Sequence, residues 1–141
     1  MPYNSLYLPE DLRPARPPDL TTLRAALEDR RILETPVLRC DAGRTLHLAL
    51  AQGEALLPPE EAIAPWISGA GRDIALLSLV GRSVAFQVTD IRADQRGAPQ
   101  VFLSRRAAQE AAREHLLSLR PGSVLRAKVT HLAAFGAFCD I

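Results

Sequence analysis

Between residues 45 and 50 the side chains alternate, with Leu46, Leu48 and Leu50 on one side and Thr45, His47 and Ala49 on the other. A side-chain period of two belongs to a strand, so the run predicts a strand buried on one face. The period returns at Val84, Phe86 and Val88, and again at Val101 and Leu103 after a turn, Asp94-Gln95-Arg96-Gly97. An apolar-rich run over 32–39 precedes the turn Cys40-Asp41-Ala42-Gly43, and Ala55-Leu56-Leu57-Pro58 follows Gly53 as a short strand. Pro36 cannot donate to a ladder, so an edge or a bulge is expected there. Residues 60–66 and 73–79 read as helical or turn-like, separated by Gly69 and Gly71. Five short strands with one helical insertion after the third predict a small closed barrel.

That strand count is the count of an OB-fold. Residues 1–21 contain Pro2, Pro9, Pro14, Pro17 and Pro18, which fix φ and withhold donors, so an extended or disordered leader is expected. Leu23, Ala26, Leu27 and Arg30 fall at helical spacing after Thr21 and Thr22, either of which is a candidate N-cap, with Asp19 near the positive end. After the last barrel strand, Ala107, Ala108, Ala111, Ala112, Leu116 and Leu119 form an apolar stripe on a charged helix. Ser104 is its candidate N-cap, and Pro121-Gly122 ends it.

The chain then begins to repeat. Ile32, Leu33 and Val37 align with Val124, Leu125 and Val129 at an offset of 92, and His47, Leu48 and Leu50 align with Phe138, Cys139 and Ile141 at 91. Two copies of one element, about a barrel and a helix apart, are the pattern of a tandem array. Residues 123–141 read as two strands around a Gly-containing bend.

A Gly, a strand of the type Val124-Leu125-Arg126-Ala127-Lys128-Val129-Thr130-His131-Leu132, then Phe135-Gly136-Ala137-Phe138 and Asp140, resembles the start of the ribosomal S1 RNA-binding domain. Upstream, Val101-Phe102-Leu103-Ser104-Arg105-Arg106 is similar to the last strand and exit of a preceding copy. The resemblance implies a mainly β chain with helical connections, organised in four parts. These are a leader over 1–21, a first, divergent five-stranded OB-fold barrel over 22–104, a connecting helix over 105–121, and the first two strands of a second, incomplete barrel over 122–141. It also implies that Phe135 and Phe138 face RNA on the outside of the barrel, where rings stack on bases and Arg126 and Lys128 neutralise phosphates. The equivalent places in the first unit are Arg44 and His47, both able to stack on a base. Where the family often carries an aromatic after the third-strand Gly, this sequence has Ala55-Leu56, so the first unit departs from the motif.

Each residue also has a plainer reading. Phe135 and Phe138 as core residues is the competing assignment, and a residue such as His47 is more often a solvated strand residue than a base-stacking one. Trp66 and Phe86 are read as core, and Arg105-Arg106 as either a phosphate contact or a solvated helix start. Sixteen of the seventeen cations are Arg, which suits phosphate forks but also follows from a GC-rich genome. From residue 104 onward six cations face three carboxylates, so any basic surface belongs to the helix and the second unit. Cys40 and Cys139 lie far apart without ligand-spaced neighbours, which indicates neither zinc nor a disulfide framework. No N-terminal apolar stretch approaches signal-peptide or membrane-span length, because Pro and charge interrupt residues 1–20, so a reducing cytoplasm is the expected location. His115, His131 and Glu60-Glu61 have no catalytic partner at a defined place, and there is no Gly-rich phosphate loop.

The expected function is non-catalytic binding of single-stranded RNA, without a cofactor, small-molecule substrate or membrane, in translation or RNA metabolism, with the ribosome or mRNA as partner. Two strands cannot close a barrel, so the sequence reads as a piece of a longer tandem protein. One alternative makes the first barrel a protein-docking module on the ribosome or an RNA-processing assembly. Another makes both units a regulatory appendage of a larger enzyme.

Overall fold

In a computed structural model of the chain, residues 10–11, 16–67, 72–124, 128–134 and 136–140 are described. Helix α1 (Leu20–Asp29) leads into β1 (Ile32–Cys40), β2 (Leu46–Ala49) and β3 (Glu54–Leu57). Short helices α2 (Pro59–Ala62) and α3 (Asp73–Leu77) follow, then β4 (Ser83–Ala93), β5 (Pro99–Ser104) and helix α4 (Arg105–Leu117). The five strands close in the order β1-β2-β3-β5-β4. β1 pairs antiparallel with β4 through its first half and with β2 through its second, and β3 lies parallel to β5, with Leu56 opposite Phe102. Closure leaves no edge in the ring, and the order with its helical insertion is that of an OB-like barrel.

Alternation fills the interior. Val37, Leu46, Leu48, Ala55, Leu57, Val84, Phe86, Val88, Val101 and Leu103 are buried in one cluster, and Leu23 and Ala26 of α1 pack on it. Phe86 is the largest fully buried side chain. Trp66, expected beside it, is instead 44 % exposed, with the Arg113 guanidinium 5.0 Å from its ring centroid. It follows α2 in an irregular stretch with no period to aim it inward.

Two bulges decide what faces out. Thr35 and Val37 point inward, and a strict period of two would send Arg39 after them, but a register shift between Val37 and Arg39 turns Arg39 outward and Cys40 toward the core. On β4 a shift between Val88 and Asp90 likewise turns Asp90 and Arg92 out and Ile91 in. Pro36 sits where β1 changes partners, and the Thr35 hydroxyl donates to Ala49 O (2.7 Å), supplying a donor where Pro36 has none.

The helix starts are fixed by side chains. Asp19, rather than Thr21 or Thr22, caps α1 by accepting from the Thr22 N–H (2.8 Å). That hydrogen bond holds the Asp19 carboxyl below its usual value. Ser104 caps α4 by accepting from the Ala107 N–H (2.9 Å), and its hydroxyl donates to Glu61 Oε2 (2.6 Å), tying α2 to α4. Arg105 is taken up by the fold. It makes a two-point ion pair with Glu10 (2.6 and 2.9 Å) and donates to Ala62 O (3.1 Å). Glu10 also accepts from the Ala85 N–H (2.8 Å), and Asp11 from the Ser83 N–H (3.3 Å). β5 pairs with β4 only from Gln87 onward, so these two carboxylates serve the stretch of β4 that β5 leaves uncovered.

Beyond α4, β6 (Lys128–Ala133) and β7 (Gly136–Asp140) form a separate two-stranded antiparallel sheet. Its pairing copies that of β1 and β2. Val37, opposite Leu48, corresponds to Val129, opposite Cys139. Arg39 opposite His47 corresponds to His131 opposite Phe138, and Cys40 opposite Leu46 to Leu132 opposite Ala137. The first strands differ by 92 positions and the second by 91, with the bulge at the same place in both.

Candidate nucleic-acid interface

The outer face of β1, β2 and β3 carries Arg39, His47 and Glu54, and the β1–β2 turn carries Asp41 and Arg44. Asp41 organises that turn: its Oδ1 accepts from the N–H groups of Gly43 (2.9 Å) and Thr45 (3.0 Å). Arg44 closes the turn in the left-handed region, at φ 67°, and its N–H donates to Asp41 O (3.0 Å). His47 Nε2 lies 2.8 Å from Asp41 Oδ2. This bond, followed by the Thr45 N–H, holds the Asp41 carboxyl below its usual value.

The other ring nitrogen of His47 is also occupied. Nδ1 is 3.1 Å from Glu54 Oε2 and 3.3 Å from Arg39 Nη2, so a neutral ring accepts from Arg39 and a protonated ring donates to Glu54. Arg39 and Glu54 are themselves paired at 3.1 Å. The His47 side chain keeps only 12 % of its surface, which leaves little of the ring for a base. Arg44 reaches α3 through an ion pair from its Nε to Asp73 Oδ1 (2.7 Å). The turn and strand thus place both first-unit residues together on the outside of the barrel, each engaged with carboxylates of the same surface.

The second-unit residues are placed more sparsely. Phe135 and Arg126 lie outside the described residues. Lys128 stands opposite Asp140 and Phe138 opposite His131 in the β6–β7 ladder. Phe102, not among the residues that the sequence motif marks, lies between buried Val101 and Leu103 and therefore faces outward. Its position in the alternation was legible, but the β4 bulge that brings Arg92 to it was not. Arg92 stands 5.0 Å from the Phe102 ring centroid.

Among the described residues no three His, Cys, Asp or Glu side chains group so as to hold a metal, and no helix is long and apolar enough to cross a membrane. Cys40 is half-buried and Cys139 exposed, and both are free. The chain matches no protein-family model and no curated protein.

Proposed function

We propose that the chain binds single-stranded RNA as a tandem of S1-like barrels, without catalysis, in translation or RNA metabolism in the cytoplasm. In this reading the β6–β7 hairpin opens a second barrel. Arg126, Lys128 and Arg44 neutralise phosphates and Phe135 and Phe138 stack on bases, while His47, with 12 % of its side chain exposed, offers a base only the edge of its ring. The observation that carries the reading is the duplicated hairpin register, bulge included, at the offsets of the sequence repeat. A bulge re-aims every side chain beyond it, so a shared bulge gives the two hairpins the same sidedness. The OB-like strand order supports it further, since that barrel's β2–β3 face is a recurrent oligonucleotide platform.

Labelled single-stranded RNA titrated with the protein tests the proposal. Replacing Phe135 and Phe138 by Ala should cost about 1–3 kcal/mol for each lost stack, and Arg44→Ala with His47→Ala should cost less. Absence of binding by the unsubstituted protein contradicts the proposal. A second reading, the first barrel as a protein-docking module, is favoured by the pairing of Arg44 and His47 with Asp73, Asp41 and Glu54, which balances the charge of that face. RNA binding insensitive to Arg44 and His47 fits that reading.

A further inference from the structure

The outer surface of the barrel does not end at His47. Direct strand partners run from Arg39 to His47, Leu56, Phe102 and Asp90, a band crossing all five strands. At its far end the β4 bulge sets Arg92 against Phe102 and opposite Gln100. Asp90 engages Nε of Arg92, yet the Arg92 side chain remains 66 % exposed. The adjoining β4–β5 turn is preset: Asp94 Oδ1 accepts from the N–H groups of Arg96 (2.8 Å) and Ala98 (2.9 Å), and Gly97 takes φ 79°. Arg96 at its tip makes no ion pair among the described residues. A cleft of about 610 Å³ opens between Arg92, Arg96, Gln95 and Gln100, with Asp94 also on its wall.

Resting on the RNA-binding reading above, we infer that this β4–β5 wall is a nucleotide-binding site of the first barrel, separate from Arg44 and His47. One unpaired base of single-stranded RNA stacks on the Phe102–Arg92 pair, and Arg96 neutralises the neighbouring phosphate. Gln100 and Gln95 offer amide donors and acceptors to the base edge. A ring with a guanidinium held against it is a sequence-tolerant stacking platform, and it needs a base already out of a duplex. The cavity beside α1 is the poorer candidate, because among the described residues Asp19 and Glu54 line it without a cation, whereas in the β4–β5 cleft Arg92 and Arg96 outnumber Asp94.

The test titrates fluorescein-labelled oligouridylate with the full chain and two variants, with a thermal melt of each as the folding control. Phe102→Leu keeps apolar bulk without the ring and should weaken binding about tenfold. Arg96→Gln should weaken it about twofold and reduce the salt slope by about one contact. Photocrosslinking of 5-bromouridine RNA to the unsubstituted chain gives a readout that needs no variant, with a crosslink expected at Phe102. Affinity unchanged by Phe102→Leu, or crosslinks confined to other strands, overturns this site while leaving RNA binding in place. Failure of the unsubstituted chain to bind overturns both.

Discussion

Hairpins β1–β2 and β6–β7 share pairing and bulge, yet one is buried and the other is not. Val37 is 2 % exposed and its counterpart Val129 56 %, and Leu132, the counterpart of half-buried Cys40, is 76 % exposed. The difference lies in what flanks them. β1 is paired on its other side by β4 and β2 by β3, whereas among the described residues β6 and β7 pair only with each other. Register and bulge are therefore set within the hairpin, and burial is supplied by the remaining strands. A hairpin without those partners is marginal in water.

Four changes break or sharpen this contrast. Phe86→Ala removes the largest side chain inside the closed barrel and should cost about 3–5 kcal/mol in denaturant unfolding. A loss under about 1 kcal/mol would mean the barrel interior is not the stability core. Arg105→Ala strands Glu10 against the uncovered stretch of β4. The expected cost is about 2–3 kcal/mol, below a fully buried pair because part of Glu10 stays in water. Limited proteolysis should then cut near residue 10 first.

The pH dependence follows from Asp41, whose carboxyl is held below its usual 3.8 by His47 and the Thr45 N–H. A depressed carboxyl contributes stability that is present above its unfolded value and lost as pH falls through the folded one. The urea midpoint should therefore decline below about pH 4, and Asp41→Asn should make that decline shallower. A wild-type and variant decline of equal steepness would contradict the assignment. The smallest effect is expected in the hairpin, where Leu132→Ala should shift global stability by less than about 0.5 kcal/mol. A large loss there would show that β6–β7 packs on the barrel core.

Much of this architecture was legible in the chain. The periods at Leu46-Leu48, Val84-Phe86-Val88 and Val101-Leu103 mark strands that the barrel buries on those same sides, and Ser104 caps the helix expected to start beside it. What stayed hidden depends on partners distant in sequence. Bulges at Val37–Arg39 and Val88–Asp90 are settled by the opposing strand, so the outward turn of Arg39 and Arg92 had no local signal. Arg105 finds Glu10 across the fold, and Trp66 lies in a stretch without a period. Of the candidate site, the outward placement of His47 was readable from alternation. Its capture by Asp41 and Glu54 depended on the turn and on β3.

The most direct measurement of the central claim is the association constant for single-stranded RNA between about 50 and 200 mM salt. Outward guanidinium groups that displace counterions should make its logarithm fall linearly with log salt, by about 0.7 per phosphate contacted. A duplex of the same sequence should compete poorly, because its bases are not free to stack. Binding that ignores salt, that favours the duplex, or that is absent would contradict the account.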